Sequence, residues 1–365
     1  MLGIVLMAAA FATELEKDSS SGNTGEGLGG GWGEPSNIIN GEDAAAADYP
    51  MAGALLIDAT LDFGSDGQYP MQMMLCSSTL IAPDVVMLAG HCVDEETLTY
   101  GYGSLENLHF YWTRAADLTE WNGMQYDPDL PDDAVEASDW VKNPGYGGEF
   151  EIGLAQNDDI ALLFLSEPVT DVPFAYLPTA DEATQLEEEL EVVIVGWGQQ
   201  GADQNAPYAE KQQGVSHIAE LGPTEMKIGE EVGDVRKCHG DSGGPTFLEV
   251  TTTLSESLRV IGVTSHAYDM SDCTQTGGVD TRVDAYLEWI DEELTSRCED
   301  GTRVWCEQAG IPSVEDVGHE DASEDGDDET QKKACGCFTP AGGAAPLLIL
   351  GALAALTRRR RTALT

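Results

Sequence analysis

The run Cys238-His239-Gly240-Asp241-Ser242-Gly243-Gly244-Pro245 constrains this chain more than any other segment. Glycines on both sides of one serine specify a turn, with the hydroxyl exposed and neighbouring backbone N–H groups free to converge. A serine acts as a nucleophile only in such a setting. It needs a base beside it and hydrogen-bond donors aimed at the oxyanion that develops during attack. Alone, a serine in a Gly-rich turn is ordinarily just a turn residue, so the weight falls on what else the chain supplies.

Two further motifs lie upstream, in order. Ala89-Gly90-His91-Cys92 offers an imidazole, and Asp159-Ile160-Ala161-Leu162-Leu163 offers a carboxylate followed by an apolar run. Together the three segments resemble the signatures of trypsin/chymotrypsin-like serine proteases, with Gly90 where alanine is more usual. The resemblance implies that Ser242 attacks a scissile carbonyl and that His91 takes its proton and returns it to the leaving amine. It implies that Asp159 holds the imidazole in the right tautomer, and that the N–H groups of Gly240 and Ser242 form the oxyanion hole. Composition does not choose between Asp158 and Asp159; the family pattern selects Asp159. His109, His217, His239, His266 and His319 carry no comparable motif and read as structural or solvated.

The same resemblance pairs Cys76 with Cys92 across the histidine loop and Cys238 with Cys273 beside the serine loop. Cys298 and Cys306 lie past the protease body and are expected to close a small loop of their own, while Cys335 and Cys337 stand apart near the C-terminus. Disulfides imply an oxidising compartment. The cysteines lack the paired spacing of a zinc site, and no EF-hand spacing supports a calcium site. No metal and no cofactor are expected.

Residues 1–12 read as a signal peptide: Leu2 to Ala12 is apolar and ends in Ala10-Phe11-Ala12, although no basic segment precedes it. Residues 13–37, rich in Ser, Gly and Glu, read as a flexible pro-segment. Ile38-Ile39-Asn40-Gly41 resembles the N-terminus that activation creates in this family. Cleavage after Asn37 frees an amino group to pair with Asp241, and a buried carboxylate without a partner is costly. The chain is therefore expected to be a zymogen. Asn37 stands where Lys or Arg is usual, which argues for an activating protease unlike trypsin.

Between these landmarks the pattern is mostly β. Met51 to Ile57, Met73 to Ile81, Val85 to Leu88, Ile160 to Leu165, Val192 to Trp197 and Arg259 to Val263 are short apolar or alternating runs bounded by Gly, Pro and Asp. Val283 to Leu294 reads as an amphipathic helix. An all-β fold follows for residues 38–297, and the resemblance implies two antiparallel six-stranded β-barrels, an active-site cleft between them and a C-terminal helix.

By position, Arg236 stands at the base of the primary substrate pocket, with Ser265, Ala267, Gly278 and Asp280 lining it. A guanidinium there favours a carboxylate on the residue before the scissile bond. Two other readings stay open: an internal pair between Arg236 and Asp280 that leaves room for small or polar side chains, and a basic preference read by Asp280. His266 and Ala267 replace the Trp and Gly usual in the segment that pairs with extended substrate.

The formal charge of −49 over 365 residues excludes nucleic-acid binding, which needs basic patches. Acidic residues crowd what read as insertions at Asp127 to Asp139 and Glu187 to Glu191, consistent with a solvated surface. Residues 298–340 form a Cys-containing, acidic linker, extended by self-repulsion from Glu315 to Glu329. Residues 341–365 hold an apolar run, Ala341 to Thr357, before Arg358-Arg359-Arg360-Arg361. This tail resembles myxobacterial-type C-terminal sorting signals, which implies sorting machinery, membrane contact before processing, and display at the cell surface or release. A plain transmembrane anchor is the other reading. The expectation is an exported serine endopeptidase acting on protein or peptide substrates; the competing class is a protease-shaped binding module without activity.

Overall fold

The computed structural model describes residues 37–311 apart from 100, 122–126, 200–208, 252–255 and 269–275. Residues 1–36, which hold the segment read as a signal peptide and nearly all of that read as a pro-segment, lie outside the described residues, as do Cys273, Cys335, Cys337 and the whole apolar and arginine-rich tail. Among the described residues, no helix is long and apolar enough to cross a membrane.

Two closed antiparallel barrels carry the site. In the first, β2 (Ala52–Asp62), β3 (Gln68–Ala82), β4 (Val85–Leu88), β5 (Ser104–Thr113), β6 (Val135–Lys142) and β7 (Ala161–Leu165) close in the order β2-β3-β4-β7-β6-β5. In the second, β8 (Glu191–Gly196), β9 (Gln212–Leu221), β10 (Glu225–Ile228), β11 (Pro245–Thr251), β12 (Glu256–Ala267) and β13 (Gly278–Arg282) run β9-β10-β13-β12-β11-β8, and β8 pairs with β9 to close it. The short β1 (Glu42–Asp43) adds to β9 from outside.

Each apolar run read from the sequence is a strand, and the β4 boundaries coincide with those expected. These strands are legible because they are buried on both faces: β4 and β7 have every residue buried. Closure leaves no unpaired edge, so continuous Val, Ile, Leu and Met runs find interior on both sides. Two expected insertions need correction. Val135 to Asp139 belongs to β6, whose face toward solvent carries the acidic residues, and Glu191 opens β8.

The helix is Leu287–Glu299, entered through a short 3-10 turn at Val283–Tyr286. It buries Ile290 and Leu294 against the barrel core. Beyond it the chain turns back on itself, closed by the Cys298–Cys306 disulfide. Arg303 then reaches the β3–β4 turn, where its Nη2 lies 2.7 Å from Asp84 Oδ1 with both side chains sealed from solvent.

Candidate active site

His91 and Asp159 come from opposite ends of two neighbouring strands. β4 pairs with β7 with Leu88 opposite Ala161, so the residues just past β4 and just before β7 meet at one end of the barrel. The Cys76–Cys92 disulfide ties the histidine turn back to β3. There His91 Nδ1 lies 2.8 Å from Asp159 Oδ2, and the His91 backbone N–H donates to Asp159 Oδ1 at 2.8 Å. The carboxylate therefore grips the same residue by ring and backbone, which fixes both the tautomer and the ring orientation.

Asp159 is wholly buried. Burial raises a carboxyl pKa, but the His91 contacts and the Ser265 hydroxyl, which donates to Oδ2 at 2.6 Å, outweigh it and hold the group below its ordinary value. Asp158, its neighbour, has φ 53° and turns away to accept a 2.7 Å hydrogen bond from Tyr286. The structure thus separates the two aspartates that composition leaves equivalent.

The serine turn arrives from the second barrel. Gly243 has φ +79°, and a Cβ there would lie 2.4 Å from the Ser77 carbonyl oxygen and 3.1 Å from the Ala89 nitrogen. Only glycine permits both the left-handed backbone and this approach. The turn is pinned by the Ser77 N–H donating to the Ser242 carbonyl at 2.8 Å and by Gly243 N–H donating to Thr264 at 2.7 Å. These bonds set Ser242 beside the strand end that carries His91. Among the described residues, neither Ser242 Oγ nor His91 Nε2 makes a hydrogen bond, and the N–H groups of Gly240 (φ +93°) and Ser242 donate to no protein acceptor. Catalytic hydrogen bonds commonly close only when substrate is bound.

Asp241 points inward. Its carboxylate accepts from the N–H groups of Cys238 and Gly198, both at 2.8 Å. A Cβ on Gly198 would lie 2.4 Å from Asp241 Cγ, so the group fills a cell that only glycine leaves open. Burial pushes its pKa up to about 6. Ile38 is also fully buried, and its φ of 42° is a conformation that β-branched residues avoid. Ile39 accepts from the Arg236 N–H at 3.0 Å, and the Asn40 side chain donates to the carbonyls of Val232 and Asp234.

The pocket residues depart from expectation. Asp280 does not pair with Arg236. Its partner is Lys237, whose Nζ lies 2.8 Å from Asp280 Oδ2 with neither side chain exposed. The buried Arg236 turns its guanidinium toward the loop carbonyls of Val232, Asp234 and Thr276. Lys237 stands next to the arginine in the loop before the serine turn, and which of the two reaches Asp280 is a distinction that sequence position does not carry. Ala267 and Gly278 face each other across β12 and β13. Cys238 is disulfide-bonded.

Two features escaped the sequence reading. Phe150, in the loop before Asp159, stacks on His266 with ring centroids 5.0 Å apart and meets His91 edge-on at 5.7 Å. Glu225 at the start of β10 holds that loop, accepting from Ala155 N at 2.7 Å and from the Asn157 side chain at 2.8 Å. β10 reads Glu-Met-Lys-Ile, so its apolar pattern gave no signal.

A family model described as Trypsin matches residues 38–290, more than half of the chain. The chain belongs to the trypsin family. This trypsin-family chain is 28% identical over 290 residues to chymotrypsin-like elastase family member 3B of Macaca mulatta, covering 73% of the chain and 98% of that protein. It is 27% identical over 277 residues to proproteinase E of Bos taurus (72% and 96% covered). It is 28% identical over 271 residues to a trypsin of Saccharopolyspora erythraea (71% and 99% covered). The trypsin-family segment ends inside the helix, so the stapled loop at 298–306 and everything after it lie outside the match.

Proposed function

We propose that this chain is a serine endopeptidase that hydrolyses peptide bonds through an acyl-enzyme. Ser242 Oγ attacks the carbonyl carbon as His91 Nε2 takes its proton. Asp159 stabilises the imidazolium that forms, and the Gly240 and Ser242 N–H groups receive the oxyanion. His91 then returns the proton to the departing amine, and water repeats the sequence to release the acid. The observation that carries this reading is the two-point hold of Asp159 on His91, at 2.8 Å each, beside a serine turn whose N–H groups are uncommitted.

The chain is read as a zymogen cut between Asn37 and Ile38. A buried Ile38 in a strained conformation and an inward-facing Asp241 without an ion-pair partner among the described residues support this. Cleavage would relieve the backbone at Ile38 and supply the missing cation. Export and surface tethering rest on the sequence features at 1–12 and 341–365 together with the disulfides. For the primary pocket, the self-neutralised Lys237–Asp280 pair and the carbonyl-bound Arg236 support small or polar side chains before the scissile bond over acidic ones.

Fluorophosphonate labelling of the processed protein tests the activity. A single adduct at Ser242, lost in Ser242→Ala and in His91→Ala, is expected. A processed wild-type protein that takes no label would show a protease-shaped binding module instead.

A further inference from the structure

Strand β12 carries a bulge: Thr264 pairs with Asp280 and His266 with Val279, leaving Ser265 without a partner on β13. A bulge re-aims side chains that would otherwise point to opposite faces of a sheet. Here it brings two consecutive residues onto one line. His266 Nδ1 lies 3.1 Å from Ser265 Oγ, and Ser265 Oγ donates to Asp159 Oδ2 at 2.6 Å.

The proton order along this line is fixed. An ionised carboxylate only accepts, so the one Ser265 proton goes to Asp159. Ser265 Oγ therefore accepts from His266, whose proton sits on Nδ1. His266 Nε2 is buried and makes no hydrogen bond of good geometry among the described residues, while the Gly153 backbone also reaches the ring. His266 is 9% exposed, and its ring is covered by Phe150.

We propose that His266 is a positioning residue of the catalytic unit, which shares the Asp159 carboxylate with His91 through the Ser265 hydroxyl. Asp159 Oδ2 then receives two donors, one from each histidine arm, and its charge is divided between them. The more of it the Ser265–His266 arm draws, the less remains to stabilise a charged His91. The other titratable group facing His266 is Asp280, while Tyr146 and Glu225 face Asp159 from further out. Burial of the His266 ring disfavours its charged form, so the arm acts through its neutral N–H dipole. This inference rests on the reading of His91 as general base.

Removing the arm has a definite sign. In His266→Phe, Ser265 loses its donor and gives a weaker hydrogen bond to Asp159. The carboxylate keeps more charge for His91, and the imidazole holds its proton to higher pH. The acid limb of kcat/KM should move up by about half a pH unit. His266→Asn, which keeps an N–H near the Nδ1 position, should hold the wild-type limb. A lower plateau with an unmoved limb in His266→Phe would reduce the residue to packing and overturn the proposal. A second readout is independent of turnover. In a Ser242→Ala background, the NMR resonance of the His91 Nδ1 proton should shift on His266→Phe and stay in place on His266→Asn. No shift in the first overturns the inference even if the protein hydrolyses nothing. An absent label in the wild type with a shifting resonance would instead refute the protease reading alone.

Discussion

Lys237 Nζ lies 2.8 Å from Asp280 Oδ2 beneath the serine turn, and Thr246 bridges them, accepting from the lysine at 2.7 Å and donating to the aspartate at 2.5 Å. Burial pulls the lysine pKa down while the aspartate opposes it. Asp280 Oδ1 has no partner among the described residues, so the site depends on the ammonium for compensation. Lys237→Met, measured by urea unfolding, should cost about 3–5 kcal/mol, the range for stranding one member of a buried pair. Lys237→Met combined with Asp280→Asn should recover most of that. An additive double variant would show that the pair is not coupled.

The same pair bears on substrate choice. Lys237 and Asp280 pair with each other, and the Arg236 guanidinium turns its donors to the carbonyls of Val232, Asp234 and Thr276 rather than to a substrate carboxylate. Profiling the processed enzyme with a peptide library should give cleavage after small or polar residues, unchanged in Arg236→Ala. Cleavage mainly after Asp or Glu, abolished in Arg236→Ala, would restore the acidic reading that sequence position suggests. Cleavage after Lys or Arg would point to Asp280.

What the sequence disclosed follows from how each part is buried. Strands such as β4 and β7 are apolar throughout because both faces are covered, and they are plain to read. β6 sets Glu136 and Asp139 among half-buried residues, so its charge read as insertion. β10 hides Glu225 and Lys227 in a fully buried four-residue strand and is invisible to any apolar pattern. The site divides in the same way. His91, Asp159 and Ser242 sit in local motifs whose glycines and flanking strands are visible in one dimension. Which of Arg236 and Lys237 meets Asp280 depends on the path of the loop between β10 and β11. The Ser265–His266 alignment depends on a single bulge. Neither is written in spacing.

The stapled C-terminal loop makes a separate claim about stability. Arg303 forms a two-point contact with Asp84 and also donates to the carbonyls of Leu294 and Ala309, tying the end of the helix to the first barrel. Arg303→Met leaves Asp84 buried opposite the Trp305 N–H alone and should cost about 3–5 kcal/mol. Replacing Cys298 and Cys306 with serine should cost about 2–3 kcal/mol through the freed short loop. Denaturant midpoints measure both, and a wild-type midpoint in either variant would leave that contact without a structural role.

Asp241 gives the pH dependence of activation. In the uncleaved chain its carboxyl has a pKa of about 6, raised by burial. Between its unfolded value near 4 and that value, the native state binds the proton more tightly than the unfolded chain does. Stability of the precursor therefore falls as pH rises through this window, by up to roughly 3 kcal/mol. Once an ammonium is created at Ile38 and seated against it, the carboxylate is favoured and the sign reverses. The gap in unfolding free energy between cleaved and uncleaved protein should thus widen from about pH 4 to pH 7. Asp241→Asn should flatten it while leaving the cleaved protein inactive, because the serine turn loses the charge that anchors it. Parallel pH curves for the two forms would mean that the new amino group never reaches Asp241.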